Sequence, residues 1–335
     1  MYRRALLATV CGLAGCTGAV PNPFGGDGGS GGGSRTSGGG GSTSGDGATA
    51  TETATRATPT DAPVTATATP SADDLQRMSV SDLLVTARDN VTAAVTAYAG
   101  DGDALTDVTA RSSSFDPAPV ATHLFYARRA YEAADRQGIS AEQEATIQAL
   151  RRIETAIRLL IDAQVLLVEA HDDLEAAVTA IEFVDAETVS SLTNRVANRQ
   201  ERATESAAAL SRSQYETAVG SVGVLSRTAF VEKRRQLVTE ASVLGDVTEA
   251  FLPVLAGVRQ FARAQGARSS GAPYTAATLS RSAAADLGRG AATLKAAADS
   301  IPVRGRSFRP IATELLSVTV EKRDEARAFA VSIER

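Results

Sequence analysis

The clearest pattern in the chain is a run of residues spaced alternately by three and four: Leu150, Ile153, Ile157, Leu160, Gln164, Leu167, His171, Leu174, Val178 and Ile181. An α-helix returns to the same face every 3.6 residues, so this run lines one side of one helix. Its near-3.5 period is that of a coiled-coil seam. The helix is predicted over 140–183, roughly 65 Å long at 1.5 Å per residue. Two polar residues, Gln164 and His171, sit on the seam one heptad apart. They predict a polar core layer, a device that fixes helix register at some cost in stability.

The same period recurs across 74–335 and predicts about seven helices. The first runs from Val80 to Ala99, with Ser79 as N-cap, and Gly100-Asp101-Gly102 ends it. A polar loop follows to Phe115. Asp116-Pro117 starts the second helix, which reaches Gln137 and stops at Gly138. Ser140 with Gln143 forms a capping box for the long third helix. The fourth is predicted over 186–218, on Val189, Leu192, Val196, Ala203 and Leu210. The fifth, 224–265, has Phe230, Leu237, Leu244, Phe251, Leu255 and Val258 on one face, and Pro253 should kink or split it near Leu252. The last two cover 274–300 and 308–334. Each helix has one apolar stripe and charged flanks, which argues against membrane spans. The expected fold is all-α, an elongated antiparallel bundle. A spectrin-like or four-helix rod is one arrangement, and two sub-bundles sharing a long helix is the other.

Before residue 74 the pattern vanishes. Residues 16–73 are Gly, Ser, Thr, Ala and Pro with scattered acids, and after Phe24 almost nothing bulky and apolar remains. Such a segment cannot bury enough surface to offset its ordering entropy, which predicts a disordered tether. Residues 1–15 follow the plan of a secretory signal: Arg3 and Arg4, then an apolar stretch from Ala5 to Leu13, too short for a bilayer. Leu13-Ala14-Gly15-Cys16 has the form of a lipobox, in which cleavage before Cys16 leaves that cysteine to carry a lipid. Arg3-Arg4 followed by Ala5-Leu6-Leu7 also reads as a twin-arginine signal. The expected location is the outer, extracellular face of the cytoplasmic membrane, with the lipid as the membrane contact.

Composition narrows the chemistry. The net charge is -5, and removing Arg3 and Arg4 (+2) leaves -7 from Cys16 onward. An acidic balance argues against nucleic acid as a partner. The chain has 2 Cys, Cys11 inside the signal and Cys16 in the lipobox, so no thiol is left for a metal or a nucleophile. Lysine is confined to Lys233, Lys295 and Lys322, and Trp is 0. Signal, lipobox, linker and composition together make the chain resemble the twin-arginine-exported lipoproteins of haloarchaea. The resemblance covers roughly the first 70 residues and the compositional style, and it implies surface anchoring without an activity.

Chemistry-bearing candidates are few. The chain has 2 His, His123 and His171. His171 stands beside Glu169, Asp172, Asp173 and Glu175, but a di-iron bundle needs paired Glu-x-x-His motifs, which are missing. The expected role is a partly buried histidine bonded to a neighbouring helix, with no metal and no cofactor. Arg195, Arg199 and Arg202 form a row that pairs with Glu201, Glu205 and the acids of the third helix. An anionic ligand is the sharper alternative, favoured by an enclosed cavity lined by Arg199 and His171. Lys233-Arg234-Arg235 reads as a short exposed basic run. Asn90-Val91-Thr92 fits the N-glycosylation sequon, although a helical backbone there disfavours modification. No catalytic motif is found. The expected function is non-enzymatic: a surface lipoprotein whose helical ectodomain binds a protein or envelope partner, with a small-ligand or sensory bundle as the alternative.

Overall fold

The caps named above are where the helices begin. Ser79 Oγ accepts from Asp82 N at 3.2 Å, Asp116 Oδ1 from Ala118 N at 2.9 Å, and Ser140 and Gln143 close a reciprocal box. Each satisfies amides that the first helical turn leaves without intrahelical partners. The structure is a computed structural model and describes residues 72–334. The signal residues Arg3, Arg4, Leu13, Ala14 and Gly15, the lipidation candidate Cys16 and nearly all of the linker lie outside the described residues.

Among the described residues there are nine α-helices and no strands. They are α1 (Ala72–Arg77), α2 (Val80–Ala99), α3 (Pro117–Asp135), α4 (Ala141–Glu182), α5 (Ala186–Ala209), α6 (Ser213–Val222), α7 (Arg227–Ser269), α8 (Pro273–Ser300) and α9 (Arg309–Glu334). The fold is all-α. The segment 100–116 returns α3 onto α2, a short turn returns α8 onto α7, and α9 packs back on α8. Helix α4 serves both groups. Its N-terminal part meets α3, through Glu154 and Tyr131, and its C-terminal part meets α5, through Asp173 and Arg195. Nearly every apolar residue of the α4 seam is buried, and Leu150, Ile153, Leu167, Leu174 and Ile181 are wholly so.

Three local expectations need correction. The predicted fourth helix is two, α5 and α6, broken at Leu210–Arg212. The apolar phase slips there: Ala207 and Leu210 are buried, and the next buried residue is Tyr215, five positions on. A continuous helix would turn Tyr215 about 140° away from Leu210, so the chain breaks to bury both. Pro253 does not split α7, which continues through it. Buried Phe251, Val254 and Leu255 flank it and hold the helix together across the missing amide. Helix α7 also contains an apolar stretch long enough to cross a bilayer, but 56% of it is buried inside the bundle, as a core helix requires. Finally, the segment after α2, expected to be a polar loop, contains a 3₁₀ turn (Leu105–Asp107) and buries Leu105, Val108 and Ala110.

Two glycines set the separation of α7 and α8. A Cβ on Gly290 would lie 2.5 Å from Val254 Cγ2, and one on Gly257 2.6 Å from Leu287 Cγ. Only a hydrogen fits at either place, so the two backbones approach more closely than a side chain permits.

Candidate functional site

Helix α7 carries Phe230, Lys233, Leu237, Glu240 and Leu244 at spacings of three and four. All five are fully buried, at 0% exposure. The expectation that Lys233 belongs to an exposed basic run is therefore wrong. Arg234 is largely buried and only Arg235 reaches well into solvent, with side-chain exposures of 16% and 57%. The error has a clear origin. Phe230, Leu237 and Leu244 mark one seam position per heptad, and Lys233 and Glu240 fill the alternate one.

A buried cation persists only with partners. Lys233 Nζ donates to Val108 O at 2.5 Å, Gln164 Oε1 at 2.7 Å and Gln236 Oε1 at 3.3 Å, which uses all three ammonium hydrogens. The Tyr98 ring lies 5.4 Å away, and the Tyr98 hydroxyl donates to the same Gln164 oxygen at 3.3 Å. Gln236 Nε2 bonds the carbonyls of Thr106 and Val108 and, at 3.4 Å, Glu240 Oε1. Ser307 Oγ donates to that carboxylate oxygen at 2.8 Å. Burial pushes the Lys233 ammonium down to about 7, against the attraction of Glu240 and Asp107. Burial also raises the Glu240 carboxyl, while nearby Lys233 and Ser307 pull it back. Tyr98 is raised well above its ordinary value, first by burial and then by Glu240.

This polar spine has a mechanical consequence. It ties the loop after α2 to α7 through the Thr106 and Val108 carbonyls. It also ties the 3₁₀ turn before α9 (Val303–Phe308) to α7 through Ser307. Gly305 of that turn sits so close to α7 that a Cβ would lie 2.7 Å from Val243 Cγ2. Loop and turn are the two walls of an open cleft of about 870 Å³. Thr109 and Arg111 line one wall, Arg306 and Ser307 the other, and Arg309, Thr313, Glu314 and Ser317 of α9 complete it. Arg309 is anchored by a 2.9 Å bond to Ile301 O. Arg111 and Arg306 are exposed and have no ion pair or side-chain hydrogen bond among the described residues. Three guanidinium groups against the single carboxylate of Glu314 leave the cleft positive in a chain of net charge -5.

The residues singled out from sequence are placed as follows. Gln164 and His171 are both buried, at 0% and 4%, but they do not form one layer. Gln164 joins the Lys233 spine and leaves its own Nε2 without a partner. His171 packs against Phe308, with ring centroids 5.8 Å apart. Its Nδ1 faces Glu175 of its own helix at 3.4 Å, not a neighbouring helix, and its buried Nε2 has no partner. Burial lowers the pKa of its imidazolium, and Glu175 and Asp172 oppose that. Ligand atoms of His171, Asp172 and Glu175 lie within 4.8 Å of one another, but both acids are exposed. Arg195 and Arg199 bind Asp173, and Arg199 also binds Glu169 at 3.0 Å. They thus take the acids of α4, not Glu201 and Glu205, and neither Arg199 nor His171 lines the cleft beside α9. Arg202 lies near Asp162, whose carboxyl it helps to hold down against burial. Asn90 lies on α2, where its amide donates to Thr86 O at 2.9 Å. His123 of α3 keeps a buried Nδ1 without a partner.

Sequence reasoning passed over Arg111, Arg306 and Glu240. Nothing local marks the two arginines, which are distant in sequence and meet only through the tertiary fold. Glu240 did carry a signal, its seam spacing from Lys233. No family model, curated protein or solved structure matches the chain.

Proposed function

We propose that this protein is a lipid-anchored lipoprotein on the outer face of the cytoplasmic membrane, whose helical ectodomain works by binding rather than by catalysis. One observation carries the binding half of the reading. Three groups with strongly displaced acidities, Lys233, Glu240 and Tyr98, lie at 0–1% exposure inside the bundle, out of reach of any substrate. Their work is to hold loop and turn in place, which is what a recognition surface needs. The anchoring half rests on the lipobox Leu13-Ala14-Gly15-Cys16 and on Arg3 and Arg4.

The partner envisaged first is a protein or another envelope component. A small-ligand reading is favoured by the Arg111–Arg306 cleft and stands as the second. Anchoring is tested by replacing Cys16. Cys16→Ser should leave the protein unlipidated and shift it from the membrane fraction to the medium. Unchanged membrane retention with no lipid on Cys16 in the wild type would sink the reading. In-cell crosslinking of the lipidated protein, followed by identification of stoichiometric partners, tests the interaction.

A further inference from the structure

The cleft between the loop after α2 and the turn before α9 combines three features. It is positive, with Arg111, Arg306 and Arg309 against one Glu314. It is rich in hydroxyls, with Thr109, Ser307, Thr313 and Ser317. Its walls are braced from within. Lys233 and Gln236 grip the carbonyls of Thr106 and Val108, and Glu240 grips Ser307. The loop is braced again locally: Thr109 N donates to Ser112 Oγ at 2.9 Å and Arg111 N to Thr109 Oγ1 at 3.3 Å. Preorganised walls reduce the ordering cost of binding. About 870 Å³ is the size of a small-molecule site.

We propose that this cleft binds an oxyanion carrying two or more negative charges, held by the Arg111 and Arg306 guanidinium groups from opposite walls. The proposal deepens the small-ligand reading and rests on it. Two observations support the two arginines as ligand groups. They are exposed, and neither is engaged by a protein acid, so their donors face the cleft uncommitted. Guanidinium groups bond phosphoryl and carboxylate oxygens in pairs, and such charge-assisted bonds are about twice as strong as neutral ones. The Thr109 and Ser317 hydroxyls add donors that neutralise nothing and so suit any oxyanion, whereas those of Ser307 and Thr313 already donate to Glu240 and to Arg309 O. Glu314 sets the selectivity. It repels a further negative charge on its side of the cleft, so the anionic groups of the ligand should gather toward Arg111 and Arg306. The spine meanwhile keeps both walls in register whether or not a ligand is present.

Such an oxyanion could come from a free phosphorylated or polycarboxylic metabolite, or from a lipid headgroup. Titration calorimetry of the full chain with pyrophosphate tests the first source, and flotation with vesicles containing cardiolipin, whose headgroup carries two phosphates, against phosphatidylcholine vesicles tests the second. Lipidation would mask the flotation arm, so that arm uses the Cys16→Ser protein. Arg111→Gln and Arg306→Gln are the informative variants, with Arg88→Gln on the exposed side of α2 as control. Because neither cleft arginine has a protein partner, both variants should keep the wild-type helix signal. We expect one-to-one binding to at least one probe, weakened about tenfold or more by either cleft variant and unaffected by the control. The probe that binds identifies the source. No binding to either probe, or binding equally strong in both cleft variants, overturns the site. Neither result touches the membrane-anchoring reading, which the Cys16→Ser fractionation of the expressed chain decides separately.

Discussion

Lys233→Met is the most direct probe of the buried spine. The substitution keeps the length of the side chain and removes the ammonium. Two of the three acceptors keep another donor: Gln164 Oε1 still receives Tyr98, and Val108 O still receives Gln236. Gln236 Oε1 is stripped, a loss of about 1–3 kcal/mol for a buried acceptor without a partner. Glu240 loses its nearest compensating charge, which adds a penalty of similar size unless the carboxyl takes up a proton. Against these losses stands the desolvation that lowers Lys233 from 10.5 to about 7. That cost is pH-dependent, and its sign is fixed. Between about pH 7 and 10.5 the unfolded chain holds the Lys233 proton and the folded chain does not, so stability rises with pH. From pH 7 to 9 the rise attributable to Lys233 is about 2 kcal/mol.

Urea titrations at constant salt, followed by helical circular dichroism, measure it. At pH 7 these losses and the relief of that desolvation nearly cancel, so Lys233→Met should lie within about 2 kcal/mol of wild type, and it should lack the alkaline rise. Glu240 acts in the opposite sense at lower pH. Its raised carboxyl contributes stability that is complete below its unfolded value of 4.5 and is lost as pH climbs through the folded value. Tyr98, also raised, begins to oppose the rise above pH 10, so the window from 7 to 9 isolates the lysine. Equal pH slopes in wild type and variant between pH 7 and 9 would refute the assignment of Lys233 as a buried, strained cation.

Gln164→Leu should cost about 2–3 kcal/mol, because it takes an acceptor from both Lys233 and Tyr98. His171→Leu should be neutral or stabilising in the same denaturation assay, since its Nε2 has no partner to lose. The two seam residues thus separate in behaviour, and equal effects would contradict their placement. Gly290→Ala should lower stability by about 1–3 kcal/mol, because the added methyl meets Val254 on the facing helix. A melting temperature equal to wild type would show that α7 and α8 have room to part. Tyr131→Phe removes one of the three side chains that bond the buried Glu154 carboxylate, with Arg128 and Arg158 remaining. A loss of about 1–2 kcal/mol is expected by calorimetric melting.

The sequence by itself determined what depends on near neighbours. Helix starts at Ser79, Asp116 and Ser140 follow from caps within three residues, and the α4 seam follows from a period that any sequence carries openly. The residues that carry the proposed signal and lipobox, Arg3, Arg4 and Leu13 to Cys16, are likewise close together in the chain. The candidate site was not legible in this way. Arg111 and Arg306 are far apart in the chain, and only the packing of α9 and of the loop after α2 against α7 brings them to one cleft. Lys233 looked like surface because charge is read by default as solvated, whereas its fate depends on three oxygens supplied by residues 108, 164 and 236. The break between α5 and α6 is of the same kind. Local propensity permits a continuous helix, and the burial of both Leu210 and Tyr215 overrides it. Period and capping are properties of a segment. The desolvation of a charge, the slip of a helix and the convergence of two arginines are properties of what lies opposite, which only the tertiary structure decides.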